Sequence, residues 1–124
     1  MAGTLVANTI NTDTGLFSTN NAYSGIAKAW VSFVGSTVAI NGSFNVSSVT
    51  RNTTGQYTVN FTTAMPSNTY VTTGSYTRNA STLASNTTVF GVMTTTTTTA
   101  QVSCLDTSAS PTDGTYVGVV IFSS

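Results

Sequence analysis

Apolar and polar residues alternate along most of this chain, the period expected of strands that cover one face and wet the other. In "IAKAWVSF" (26–33) the alternation sets Ala27, Ala29, Val31 and Phe33 on one side and Ile26, Lys28, Trp30 and Ser32 on the other. "SFNVSSV" (43–49) and "QYTVNF" (56–61) repeat it, with Tyr57, Val59 and Phe61 on a common face. Between them "TRNTTG" offers Asn52 and Gly55, residues that tolerate the positive φ of a tight hairpin. "TVAI" (37–40), "TYVTTGSY" (69–76), "TTVFGVM" (87–93), "AQVSCL" (100–105) and "TYVGVVIF" (115–122) read as further strands, and "SASPTDGT" before the last is a turn signal. Short strands roughly every eight to twelve residues predict an all-β fold, an antiparallel β-sandwich, jelly-roll-like, of about eight strands. The nearly all-apolar "VGVVIF" predicts that the last strand is central, covered on both faces or by a neighbouring subunit.

Residues 1–24 differ from the rest. "TLVANTI" is a short strand-like segment, "NTDTG" a turn signal and "LFSTNNAYSG" a polar stretch with few anchors. That is too little apolar surface to fold alone. The division predicted is an extended N-terminal arm (1–24), docking through Leu5, Val6, Ile10, Leu16 and Phe17, followed by a sandwich domain (25–124).

Composition sharpens the picture. The hydrophobic fraction is 40%, enough for one core, while the charged fraction is 5% against roughly 25% in a typical domain. Solubility therefore falls to neutral groups, and 28 Thr, 16 Ser and 11 Asn supply them. Lys28, Arg51 and Arg78 balance Asp13, Asp106 and Asp113 without clustering, so neither a nucleic-acid footprint nor a membrane-binding basic patch is present. "MAGTLVANTI" has no basic region or unbroken apolar run, and no later stretch approaches a membrane span. The expectation is synthesis in the cytoplasm without a signal peptide and no membrane insertion, and the six N-x-S/T sequons (Asn41, Asn45, Asn52, Asn60, Asn79, Asn86) are read as unglycosylated.

Catalytic chemistry has little to work with. The chain has no His and no Glu, so a Ser–His–Asp site cannot form, and one Cys without His cannot hold zinc. The three Asp each sit among turn residues, where local backbone hydrogen bonds are their usual role; a paired-carboxylate site would need two of those loops to converge. A calcium site from loop Asp and carbonyls lacks the clustered acidic spacing. Cys104, in strand-like "QVSCLD", reads as a buried inert thiol. The run Thr94–Thr99 has no coil-by-coil period and reads as a solvated strand end or loop. The expectation is a non-enzyme without cofactor or metal.

Function then lies in surfaces. Aromatic rings in polar loops stack on sugar rings while amides and hydroxyls complete the hydrogen bonds. Tyr76 and Arg78 in "GSYTRNAS", with Asn79 beside them, and Tyr23 in "NNAYSG" are the candidate ligand contacts; their alternative role is cross-strand or subunit packing. Trp30, flanked by small residues, reads as core or interface.

"AYSGIAKAWVSFVG", "SFNVSSVTRNTTGQYTVNFTTAMPSNTY" and "DGTYVGVVIF" together resemble a domain that recurs in virion proteins of tailed bacteriophages, often those infecting aquatic bacteria, where it serves in tail fibres and other structural proteins. The opening "GTLVANTINTDTG" is similar to the short segment that precedes such domains. The resemblance covers most of the chain and implies a β-sandwich, commonly a homotrimer, on the surface of a phage particle. It implies contacts with other virion proteins through the arm and with a host surface glycan or protein through the sandwich. No shaft, heptad or repeat separates arm from sandwich, which favours a short appendage, fibre tip or head decoration over a long fibre.

Overall fold

The computed structural model describes residues 3, 4, 6, 9–12, 15–78 and 88–123, with residues 9–12 and 15–21 by backbone alone. Two four-stranded antiparallel sheets face each other. The first runs β4 (Ile40–Phe44), β3 (Ala29–Phe33), β10 (Tyr116–Phe122), β7 (Val71–Thr77). The second runs β5 (Val46–Thr53), β6 (Gln56–Phe61), β9 (Thr99–Asp106), β8 (Thr88–Thr95). This is the predicted all-β antiparallel sandwich, and its first and last strands, β3 and β10, lie side by side at the centre of one sheet.

The core follows the alternation. Ala29, Val31 and Phe33 of β3 and Val117, Val119 and Ile121 of β10 meet Tyr57, Val59 and Phe61 of β6 and Ala100, Val102 and Cys104 of β9. Each fully buried Val, Ile or Phe contributes about 1.5–3 kcal/mol by leaving water. The central strands, with neighbours on both sides, contribute most of this layer; the edge strands β4, β5, β7 and β8 contribute less. At one open edge Phe90 of β8 packs over Gly74 of β7, where a side-chain carbon would stand 2.7 Å from its ring.

Three tyrosines bind the sheets to one another. Tyr76 of β7 donates to the Leu105 carbonyl at 2.5 Å, and Tyr70, just before β7, donates to the Thr99 carbonyl at 2.6 Å. Both acceptors lie in β9 of the opposite sheet. Tyr57 of β6 donates to Asp113, in the loop that leads into β10, at 2.7 Å. Each ring fills the interior and each hydroxyl finds an oxygen, which removes the penalty of burying it. Phe33 meets Tyr57 edge-on at 5.0 Å between centroids, and Phe61 meets Tyr70 at 5.8 Å.

Chain crossings are tight. Asn45 alone joins β4 to β5, with φ 55°, in the left-handed region that Asn tolerates. Its side chain donates to the carbonyls of Lys28 and Thr63, both at 3.1 Å, and accepts from the Thr63 N–H at 2.7 Å.

The structure corrects several readings. "TVAI" is not a strand: residues 35–37 turn, Val38 has φ 52°, and β4 starts only at Ile40. Val38 instead plugs the end of the core from a loop, which mimics strand alternation. The β5–β6 turn uses Gly55, φ 68°, whereas Asn52 stays in β5 and bonds Thr58 across the pair. Asp113 makes no merely local turn. Asp106 does, accepting from the N–H groups of Ser108 and Ser110, both at 2.9 Å.

Before the sandwich, β1 (Thr9–Thr12) and β2 (Gly15–Ser18) pair as a hairpin in which Ile10 lies opposite Phe17 and Asn11 opposite Leu16. The seven-residue helix α1 (Thr19–Gly25) then leads into the sandwich. Leu5 and Asp13 lie outside the described residues, and Val6 is 88% exposed.

Candidate functional site

Tyr76, expected to offer a ring to a ligand, is corrected by the structure. It sits inside β7, 6% exposed, with its hydroxyl consumed by the Leu105 carbonyl. Burial pushes its phenol pKa up. The alternation rule names the reason: Tyr76 pairs with Val117 and shares its inward side. Arg78 is exposed just past the end of β7 and faces Asp106 at 3.9 Å. Asn79 lies outside the described residues. Tyr23 lies in α1 and is 56% exposed.

Tyr23 and Arg78 are not brought together. Arg78 follows Thr77, which pairs with Tyr116 at one end of β10; Tyr23 contacts Lys28, whose N–H bonds the Ile121 carbonyl at the other end. The two ends are separated by about 17 Å of strand.

What surrounds Tyr23 is an open groove of about 300 Å³ where α1 meets the β4–β5 corner. Tyr23, Ile26, Lys28, Phe44, Asn45 and Met65 line it. Its rim carries two rings open to solvent, Tyr23 and Phe44, the latter 55% exposed. The Lys28 ammonium lies 3.4 Å from the Tyr23 ring centroid and donates to the Tyr23 carbonyl. This arrangement can stack a planar or pyranose face between rings and present one cation beside it. Phe44 escaped the sequence reading because an aromatic in an alternating strand reads as core. Its pairing with Trp30, invisible in the pattern, sets it on the outer side of the sheet.

A second feature spans the outer side of the β4–β3–β10–β7 sheet. The register sets Phe44 opposite Trp30, Trp30 opposite Val120, and Val71 opposite Phe122. Trp30 lies across Gly42 and remains 41% exposed; Val71 is 63% exposed. On the outer side of the other sheet β8 exposes Val89 and Met93, whereas β5 and β6 are polar and bonded to each other. There Asn52 and Thr58 exchange hydrogen bonds, and Asn60 donates to Ser48 and Thr50.

Among the described residues, Asp113, Tyr57 and Cys104 are engaged in structure. Asp113 accepts from Arg51, from the Gly55 N–H and from the Tyr57 hydroxyl, and its carboxyl is drawn down to about 2, chiefly by Arg51. Burial raises the Tyr57 phenol and lifts the Cys104 thiol to about 12, as its inert reading predicts. Among the described residues no three His, Cys, Asp or Glu side chains gather as a metal site, and no helix is long and apolar enough to cross a membrane. The chain matches no described protein family, no curated protein and no solved structure.

Proposed function

We propose that this chain is a non-enzymatic surface protein of a bacteriophage particle, a short fibre or appendage that displays its sandwich for host attachment. The groove supports this reading most directly: two solvent-open rings, Tyr23 and Phe44, flank a cation at the sandwich end beside the arm. Such a site recognises a sugar ring by stacking and needs no reacting group. The neutral, self-bonded hydroxyl and amide face suits a particle exposed to changing salt and pH, because it has no charges to screen and none to titrate. The resemblance of the three sequence segments to phage virion domains points the same way and brings with it a homotrimer.

The test has two parts. Antibody raised against the purified chain should label intact particles at a discrete location. The purified chain should bind host cells saturably, and Tyr23→Ala should weaken that binding at least tenfold while Tyr76→Phe leaves it unchanged. Labelled particles with no cell binding, and loss of particle integrity when the gene is deleted, would instead support a decoration protein. That second reading is favoured by one observation: the hairpin pairs with neither sheet of the sandwich and forms a two-stranded sheet of its own, as a clamp for a neighbouring capsid or tail subunit would.

A further inference from the structure

On the outer side of the β4–β3–β10–β7 sheet, among the described residues, Trp30 is 41% and Val71 63% exposed, with Val120 and Phe122 half-buried beside them. Trp30 and Val120 stand side by side in one row, with Phe122 and Val71 in the next, while Phe44 beyond Trp30 is left to the groove. A contiguous apolar strip of this kind on a soluble domain marks an interaction surface.

The arm shows the converse problem. Among the described residues the β1–β2 hairpin forms a sheet of its own, and its principal contacts are between its two strands and with α1. A two-stranded ribbon alone is marginal in water, and nucleating further order requires a surface. The hairpin sequence carries Ile10, Leu16 and Phe17, and its eight paired residues are uncharged. The strip residues named are uncharged too, with Lys28 at their border, so the contact itself is apolar against apolar. The arm enters the sandwich at Ile26–Lys28, immediately beside the strip, which puts donor and acceptor surfaces at the same end of the molecule.

We propose that the β1–β2 hairpin of one copy covers the Trp30 strip of a neighbouring copy. Every copy then gives an arm and receives one. Such head-to-tail contacts close into a ring, and three copies would make the homotrimer of the functional reading. The inference rests on that reading of the chain as an assembling surface protein and names the surface by which it assembles.

Trp30 is the only tryptophan, so its fluorescence reports the strip directly. The full chain is followed by light scattering after size exclusion and by acrylamide quenching of Trp30 over a dilution series. Two full-length variants accompany it: Phe17→Asp in the hairpin and Val71→Asp on the strip, with urea unfolding confirming that each sandwich is intact. The expected result is an oligomer with shielded Trp30, and two monomeric variants in which quenching rises about twofold. Mixing the variants should restore a one-to-one pair, because the first keeps a sound strip and the second a sound arm. The inference is overturned if Phe17→Asp remains assembled, as a face-to-face contact of two strips would require, if the mixture stays monomeric, or if the wild-type chain is monomeric with Trp30 shielded by its own arm or exposed. Particle labelling decides the functional reading independently of all these outcomes.

Discussion

Arg51 and Asp113, 62 residues apart in sequence, meet in a two-pronged ion pair, with Nη2–Oδ2 at 2.7 Å and Nε–Oδ1 at 3.0 Å. The pair joins the β5–β6 hairpin to the loop before β10, so it ties one sheet to the connection that feeds the other. Arg51 is itself steadied by Thr54, whose hydroxyl accepts from Nη2 at 3.0 Å. The arginine is solvent-facing and contributes little by charge alone. Asp113 matters more, because the Tyr57 hydroxyl and the Gly55 N–H both depend on it.

Asp113→Ala should therefore destabilise the sandwich by about 2 kcal/mol, the usual cost of leaving buried donors without an acceptor. Urea denaturation of the purified chain measures it. Tyr57→Phe in the Asp113→Ala background should recover part of the loss, since it removes one of the stranded donors.

The same groups set the pH limits. The folded Asp113 carboxyl lies at about 2, below its unfolded value, so its contribution is present above that unfolded value and is lost as pH falls towards the folded one. Tyr57 and Cys104 are raised, the thiol to about 12, so their neutral forms favour the folded state and that advantage disappears as alkali ionises the unfolded chain first. With no His or Glu in the chain, stability should be level from about pH 5 to 8 and fall on both sides. Asp113→Asn should flatten the acid limb only. Unfolding midpoints collected from pH 2 to 11 would show whether it does.

Much of this was legible in the sequence, and the boundary is physical. The period-two alternation in "QYTVNF" and "AKAWVSF" gave Tyr57, Val59, Phe61, Ala29, Val31 and Phe33 their inward positions, because alternation is a local consequence of the pleat. Tyr76 was open to two readings, since a strand running into a polar loop leaves its last aromatic ambiguous until the partner strand is known. Asp113 was misread because a turn residue's local bonds are visible in sequence and its partner 62 residues away is not. The groove is only partly legible: Tyr23 stands out as a ring in a polar stretch, whereas Phe44 faces outward through its pairing with Trp30, which the sequence does not reveal.

Cys104 should be silent in the native protein. It is fully buried in β9, and burial holds its thiol at about 12, so thiolate is scarce at neutral pH. Iodoacetamide at pH 8 should leave the folded chain unmodified over hours and add one carbamidomethyl group within minutes in concentrated urea, read by intact mass.

Gly55 and Gly42 should respond in opposite ways to alanine. Gly55 has φ 68°, and a side-chain carbon there would stand 2.6 Å from both the Cys104 carbonyl oxygen and the Thr112 nitrogen. Those atoms are backbone and cannot swing aside, so Gly55→Ala should cost about 2–4 kcal/mol through left-handed strain and overpacking. At Gly42 the nearest atoms are those of the Trp30 ring at 3.4 Å, an ordinary contact, so Gly42→Ala should stay within about 0.5 kcal/mol of the parent. Paired urea curves test both.

Thr72 provides a change of the other sign. It pairs with Ile121 in the register, and its hydroxyl oxygen is buried without a hydrogen-bond partner. A hydroxyl removed from water and left unbonded lowers stability, whereas a methyl of the same shape in that place does not. Both side chains are β-branched, so the strand preference of the backbone is preserved. Thr72→Val should therefore stabilise the chain by about 1 kcal/mol and raise the thermal midpoint by several degrees, measured by calorimetry. A lower midpoint would mean that the hydroxyl has a partner in solution and that the interior beside Ile121 is wetter than its apolar lining implies.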